Sequence, residues 1–99
     1  AAVLAAMSKH PQAGVQEKGC LALRELAHNY VSNQERQCGI SAVLAAMVEH
    51  TSHAGVQEQG CAALSELAHN NVYHQARIAE EGGVVVVVAA MMAHNTHAG

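Results

Sequence analysis

The sequence predicts an all-α protein, a solenoid of stacked helical repeats, and two observations predict it. Hydrophobic residues are 51% of the 99, yet aromatic residues are only 2%, with no Trp, no Phe and two Tyr. The apolar mass is Ala, Val, Leu and Met. That mixture suits helices with small, closely approaching faces; a sandwich calls for aromatic and β-branched residues along every strand. The second observation is self-similarity. AVLAAM at 2–7 recurs at 42–47, a shift of 40, while GVQE at 14–17 recurs at 55–58 and LAHN at 26–29 at 67–70, both with a shift of 41. A third copy begins at Gly83, because AAM at 45–47 returns at 89–91. Periods of this length mark stacked helical repeats. They divide the chain into a partial repeat 1–31, a repeat 32–72 and a partial repeat 73–99.

Each copy reads as three helices. Val3, Leu4 and Met7 give a middle helix that ends at His10, since Pro11 forbids a smooth continuation. A long helix then runs from Val15 to about His28, with apolar or small residues at 15, 19, 22, 23 and 26 tracing one face at 3.6 residues per turn. In the next copy that face is Val56, Gly60, Ala63, Leu64 and Leu67, and Asn29 and Asn70 stand where C-terminal caps are expected. A short helix starts at Ser32, whose spacing to Glu35 is a capping box, and its counterpart runs from about His74 to Glu81 before Gly82 and Gly83.

A repeat of about 42 residues, built as short helix, Gly-Gly-apolar turn, second helix and a third helix of the form VQxx[GA][CA]xALxxLA, resembles the armadillo repeat, kin of HEAT repeats. The segments that carry the resemblance are GVQEKGCLALRELAHN at 14–29, GVQEQGCAALSELAHN at 55–70 and RIAEEGGVVVVVAAM at 77–91. Their wording is similar to the armadillo stretches of leucine-rich-repeat kinases and of long multi-repeat proteins. The resemblance covers essentially the whole chain. It implies a right-handed α-solenoid and a non-enzymatic protein-protein interaction scaffold that holds a partner segment on its concave face. Two departures stand out. Where peptide-binding armadillo proteins carry a gripping Trp and Asn, this chain has Leu21 and Glu25, then Ala62 and Glu66. The first short helix is also cut, with Arg36 and Gly39 three apart where Arg77 and Gly83 are six apart, so the stack should bend or re-pack there.

The outward stripe of the long helices carries Glu17, Leu21, Arg24, Glu25 and His28, then Glu58, Ala62, Ser65, Glu66 and His69. Stacking is expected to align Glu17 with Glu58 and Glu25 with Glu66 about 10 Å apart, a mildly acidic ladder fit for a basic or polar partner segment. The same stripe also fits a plain solvated face. Val84, Val85, Val86 and Met92 add apolar surface near the end of the stack, which should meet a neighbouring repeat, another subunit or a partner. Gly19 and Gly60 interrupt both long helices, which suggests either close approach of another backbone or a tolerated small residue.

Other function classes find little support. A formal charge of −3 with five Lys and Arg argues against nucleic-acid partners, which need clustered cations. No run is long enough for a membrane span. Eight His are a rich supply, and His50-x-x-His53 returns as His94-x-x-His97, but these lie at helix ends and loops, and no C-x-x-C completes a metal site. No metal, cofactor or catalytic group is expected. Cys20 and Cys61 share a repeat position suited to packing, and an odd cysteine count fits a reducing, intracellular and cytoplasmic location. Neither end carries a polar capping repeat, as a free solenoid needs, so the expectation is a stretch of a longer array or a structural subunit of a large assembly.

Overall fold

The computed structural model describes residues 2–28, 32–69 and 71–82. Five helices make up its regular structure: α1 (Ala2–Lys9), α2 (Ala13–Leu26), α3 (Asn33–Glu49), α4 (Ala54–Leu67) and α5 (Val72–Glu80). The chain is all-α, and no strand occurs among the described residues. α1 ends just before Pro11, and its last turn closes with the His10 N–H donating to Ala6 O at 3.0 Å.

α3 departs from the expected division. Its start is the expected capping box: the Glu35 N–H donates to Ser32 Oγ at 3.1 Å, and the Ser32 hydroxyl donates to Glu35 Oε1 at 3.2 Å. The helix then runs 17 residues straight through Gly39, so short and middle helices are fused. Repeat 32–72 therefore holds two long elements, α3 and α4, where three helices were expected. The cause is local. α5 is stopped by Gly82, whose φ of 83° lies in the left-handed region. Aligned on Gly39 and Gly83, the residue in that place in α3 is Cys38, for which the left-handed conformation costs about 1–2 kcal/mol. With no stop signal and three residues fewer, the helix continues. Gly39 remains useful for packing, since an added Cβ would lie 3.4 Å from a Leu67 methyl and 3.7 Å from a Leu23 methyl.

The core is centred on α3. Ile40, Val43 and Met47 are fully buried there, against Val56, Ala63, Leu64 and Leu67 of α4, Cys20 and Leu23 of α2, and Met7 of α1. The most extensive helix pairing joins α2 and α4, the long helices of consecutive copies. They run parallel: the Glu17 carboxyl packs where a Cβ on Gly55 would fall, and His28 Nε2 lies 3.6 Å from Glu66 Oε2. Both pairs are 38 residues apart, whereas equivalent residues are 41 apart. Each long helix thus meets the next through a different side of itself, the head-to-tail kind of contact that propagates along a stack.

That asymmetry decides which faces are buried. All of the expected α4 face, Val56, Gly60, Ala63, Leu64 and Leu67, is buried. On α2 only Gly19 and Leu23 of the expected face are buried, Val15 and Ala22 are half-buried, and Leu26 is 41% exposed. Residue type is the same in both helices. What differs is that the side of α4 carrying Gly55 and Glu66 is covered by the long helix α2, whereas the equivalent side of α2 has no long helix against it among the described residues.

Candidate functional site

The same lock recurs at both junctions between a middle helix and its long helix. Gln16 Nε2 donates to Met7 O and His10 O, both at 2.8 Å; Gln57 Nε2 donates to Met47 O and His50 O, both at 2.9 Å. Each Gln is buried and takes up two carbonyls that the end of a helix leaves without intrahelical partners. Beside each Gln sits a glycine. A Cβ on Gly19 would fall 2.5 Å from Met7 Cγ and Sδ, and one on Gly60 would fall 2.6 Å from Met47 Cγ and Sδ. The near neighbour of each glycine is therefore a methionine side chain, and not the close backbone that was one of the two readings the sequence allows.

A third clamp spans the stack. Arg36, in the first turn of α3, donates from Nη2 to Ala27 O at 3.3 Å and from Nη1 to Leu67 O at 3.2 Å. One guanidinium thereby holds the C-terminal ends of both long helices, where cations are favoured. Its repeat equivalent, Arg77, lies 3.8 Å from both Glu80 and Glu81. Glu81 also accepts from Gln37 Nε2 at 2.7 Å and from Ser41 Oγ at 3.0 Å, which ties the end of α5 to α3.

The expected ladder has different rungs. Glu17 is drawn over the first turn of α4, a favourable place for a carboxylate, and Glu66 faces His28. Glu25 pairs with the adjacent Arg24 at 3.2 Å and stays exposed. Glu58, Ser65 and His69 are exposed, while Leu21 and Ala62 are half-buried. The outward stripe therefore survives as Arg24, Glu25, Glu58, Ser65 and His69, but Glu17 and Glu66 serve the α2/α4 contact. The apolar end residues Val84, Val85, Val86 and Met92 lie outside the described residues, as do Asn29, Asn70, His94 and His97.

His50 and His53 have structural work. His53 Nδ1 caps α4 by accepting from the Val56 N–H at 3.2 Å, and His50 Nε2 donates to Pro11 O at 2.6 Å across the two copies. The thiols are free, and burial pushes Cys20 up to about 11, with the Glu17 carboxylate adding to the shift; burial also raises Cys61. Such thiols stay protonated and are poor nucleophiles. An open groove of about 480 Å³ lies between α1 and α3, lined by Leu4, Met7, Pro11, Cys38, Ala42 and Ala46 among others. It is mostly apolar, and nothing in the periodicity signals it, because it arises from two middle helices held apart.

His74 differs from both His50 and His53. It is fully buried on α5, and neither ring nitrogen has a hydrogen-bond partner. Burial, with the nearby Arg36 guanidinium as a second cause, holds its pKa below the usual 6.5. The unfolded chain therefore takes up a proton that the folded chain refuses, so stability is full above pH about 6.5 and falls as the pH drops below it. His74→Leu is expected to flatten that acid limb and to stabilise the neutral protein by on the order of 1 kcal/mol, as two unsatisfied buried atoms are removed. Melting curves across this range check it; an unchanged acid limb in the variant would refute the assignment.

No known protein family, curated protein or solved structure matches this chain. Among the described residues, no helix is long and apolar enough to cross a membrane.

Proposed function

We propose that this chain is a stretch of a right-handed, armadillo-like solenoid and works as a non-enzymatic protein-protein interaction scaffold. The observation that supports the reading is the parallel stacking of α2 and α4, repeat-equivalent helices that carry Arg24, Glu25, Glu58, Ser65 and His69 along one continuous surface. A surface of that kind, with more carboxylates than cations, suits an extended basic or polar segment of a partner protein. The protonated Cys20 thiol and the structural roles of His50 and His53 favour binding over chemistry. Free Cys20, Cys38 and Cys61 fit a cytoplasmic setting.

The test is selection of binders from a random peptide library, followed by titration against Glu25→Gln plus Glu58→Gln. Selected peptides should be net basic, and the double variant should lose about threefold to tenfold in affinity at low salt and less at high salt. Binding that is unchanged by the pair, or peptides with no basic bias, would refute the surface as the site.

A second reading, a structural subunit of a larger assembly, is favoured by exposed apolar groups at the edges. Val72 is 79% exposed, Tyr73 62% and Val48 61%. A chain that melts cooperatively as a monomer favours the scaffold, whereas aggregation relieved only by a co-purified neighbour favours the subunit.

A further inference from the structure

We infer that α5 is an acid-released latch, which leaves α3 as a unit when His74 takes up a proton, while α3 and α4 stay folded. Little else holds the helix. His74 is the one buried side chain of α5, Ile78 is half-buried against the core, and Val72 and Tyr73 are exposed. The other ties are polar: Glu81 accepts from Gln37 and Ser41 of α3, and Gln75 Nε2 donates to Ala68 O at 3.2 Å. Among the described residues, the α3/α5 contact is far smaller than that of α3 with α4. Four buried polar atoms there have no partner: both ring nitrogens of His74, Arg77 Nε and Gln37 Oε1. Each gives up a hydrogen bond to water and gains none, so α5 is held weakly even at neutral pH.

Protonation tips that balance. An imidazolium carries two N–H donors, and neither ring nitrogen of His74 has an acceptor. The charge that bears on the ring from α3 is the Arg36 guanidinium, itself positive and held by Ala27 O and Leu67 O. No carboxylate among the described residues bonds the ring: Glu35 is bonded to Ser32, Glu66 at the end of α4 faces His28, and Glu80 and Glu81 lie beside Arg77 on α5 itself. Tyr73 meets the ring edge-on, and His69 after α4 is not its hydrogen-bond partner. By contrast, His28 and His50 keep their partners, Glu66 and Pro11 O, when protonated, so acid does not loosen the copies through them. Acid therefore opens the molecule at α5 and uncovers the edge of α3 that carries Gln37 and Ser41. This inference is independent of the peptide-binding surface proposed above.

Native-state hydrogen exchange of the full chain, corrected for intrinsic rates and run at several pH values, tests it. Amides 75–81 of α5 should exchange together, with protection at least about tenfold below that of 43–47 in α3, the mark of local opening. Low urea should speed exchange at 43–47 and leave 75–81 nearly unchanged, because releasing one helix exposes little surface. Protection of 75–81 should fall by up to about tenfold between about pH 7.5 and pH 5.5, since the open form binds the proton near the ordinary 6.5. His74→Leu should raise that protection and abolish the fall. Equal protection and equal urea dependence in α3 and α5, α5 protection that ignores pH, or a fall that survives His74→Leu would each overturn the proposal.

Discussion

Met47→Ala is expected to destabilise the protein by about 2–5 kcal/mol, toward the upper end, because Met47 is fully buried and the hole cannot collapse easily between two packed helices. Domains of this size are stable by only about 5–15 kcal/mol in total, so the loss is a large share. The sharper expectation concerns Gly60. In the parent, Gly60→Ala places a Cβ 2.6 Å from Met47 Cγ and Sδ, so the fully buried Met47 side chain must shift. That loss should exceed the gain of roughly 1 kcal/mol in helix propensity. Once Met47 is Ala, the obstruction is gone, and the same Gly60→Ala substitution should stabilise. A reversal of sign between the two backgrounds is the signature of direct contact, read from chemical denaturation of the four proteins in a double-mutant cycle. Additive effects would mean that the two residues do not meet.

Gln57→Glu is the second large effect, expected at about 2–4 kcal/mol near neutral pH. The substitution preserves shape and volume, so packing is not at issue. What it removes is donation: the Gln57 amide gives two bonds, to Met47 O and His50 O, and a carboxylate gives none. It also sets a buried negative charge against the carbonyl end of α3, where the helix dipole disfavours it. The protonated acid can donate, so the folded state holds this proton more tightly than the unfolded chain. Its pKa in the fold is then raised, and the deficit should shrink as the pH falls toward 4, close to the ordinary value of about 4.3. Urea titrations at several pH values read this directly. A deficit that is small, or that does not change with pH, would exclude the clamp as a source of stability.

These two residues also show how far the sequence could be read. The repeat, the small and aromatic-poor core, the Ser32 capping box and the whole buried face of α4 follow from composition and period. Gln16 and Gln57 do not. A pattern of apolar and polar positions places any Gln on the solvent side, and the carbonyls that pull it inward belong to a different helix. The available signal was its recurrence directly after Val in both copies. The fusion within α3 was half legible, since the shortened Arg36-to-Gly39 interval announced a change but not that the helix would run through it. The pairings Glu17–Gly55 and Glu66–His28 were not legible, for a geometric reason. Equivalent residues of parallel stacked helices do not face each other, because each helix offers its neighbour a different side, and the offset of 38 turned Glu17 toward Gly55 and Glu66 toward His28. Leu26 lies on the same apolar stripe as Leu67, but burial depends on a neighbouring helix that residue type alone does not supply.

A middle helix is keyed into its long helix by methionine against glycine in both copies. Nuclear Overhauser contacts in methionine-labelled protein test it most directly. Cross-peaks from the Met7 side chain to Gly19 Hα and from the Met47 side chain to Gly60 Hα are predicted together. Absence of both, or their presence in one copy only, would contradict the repeat-wise packing described above.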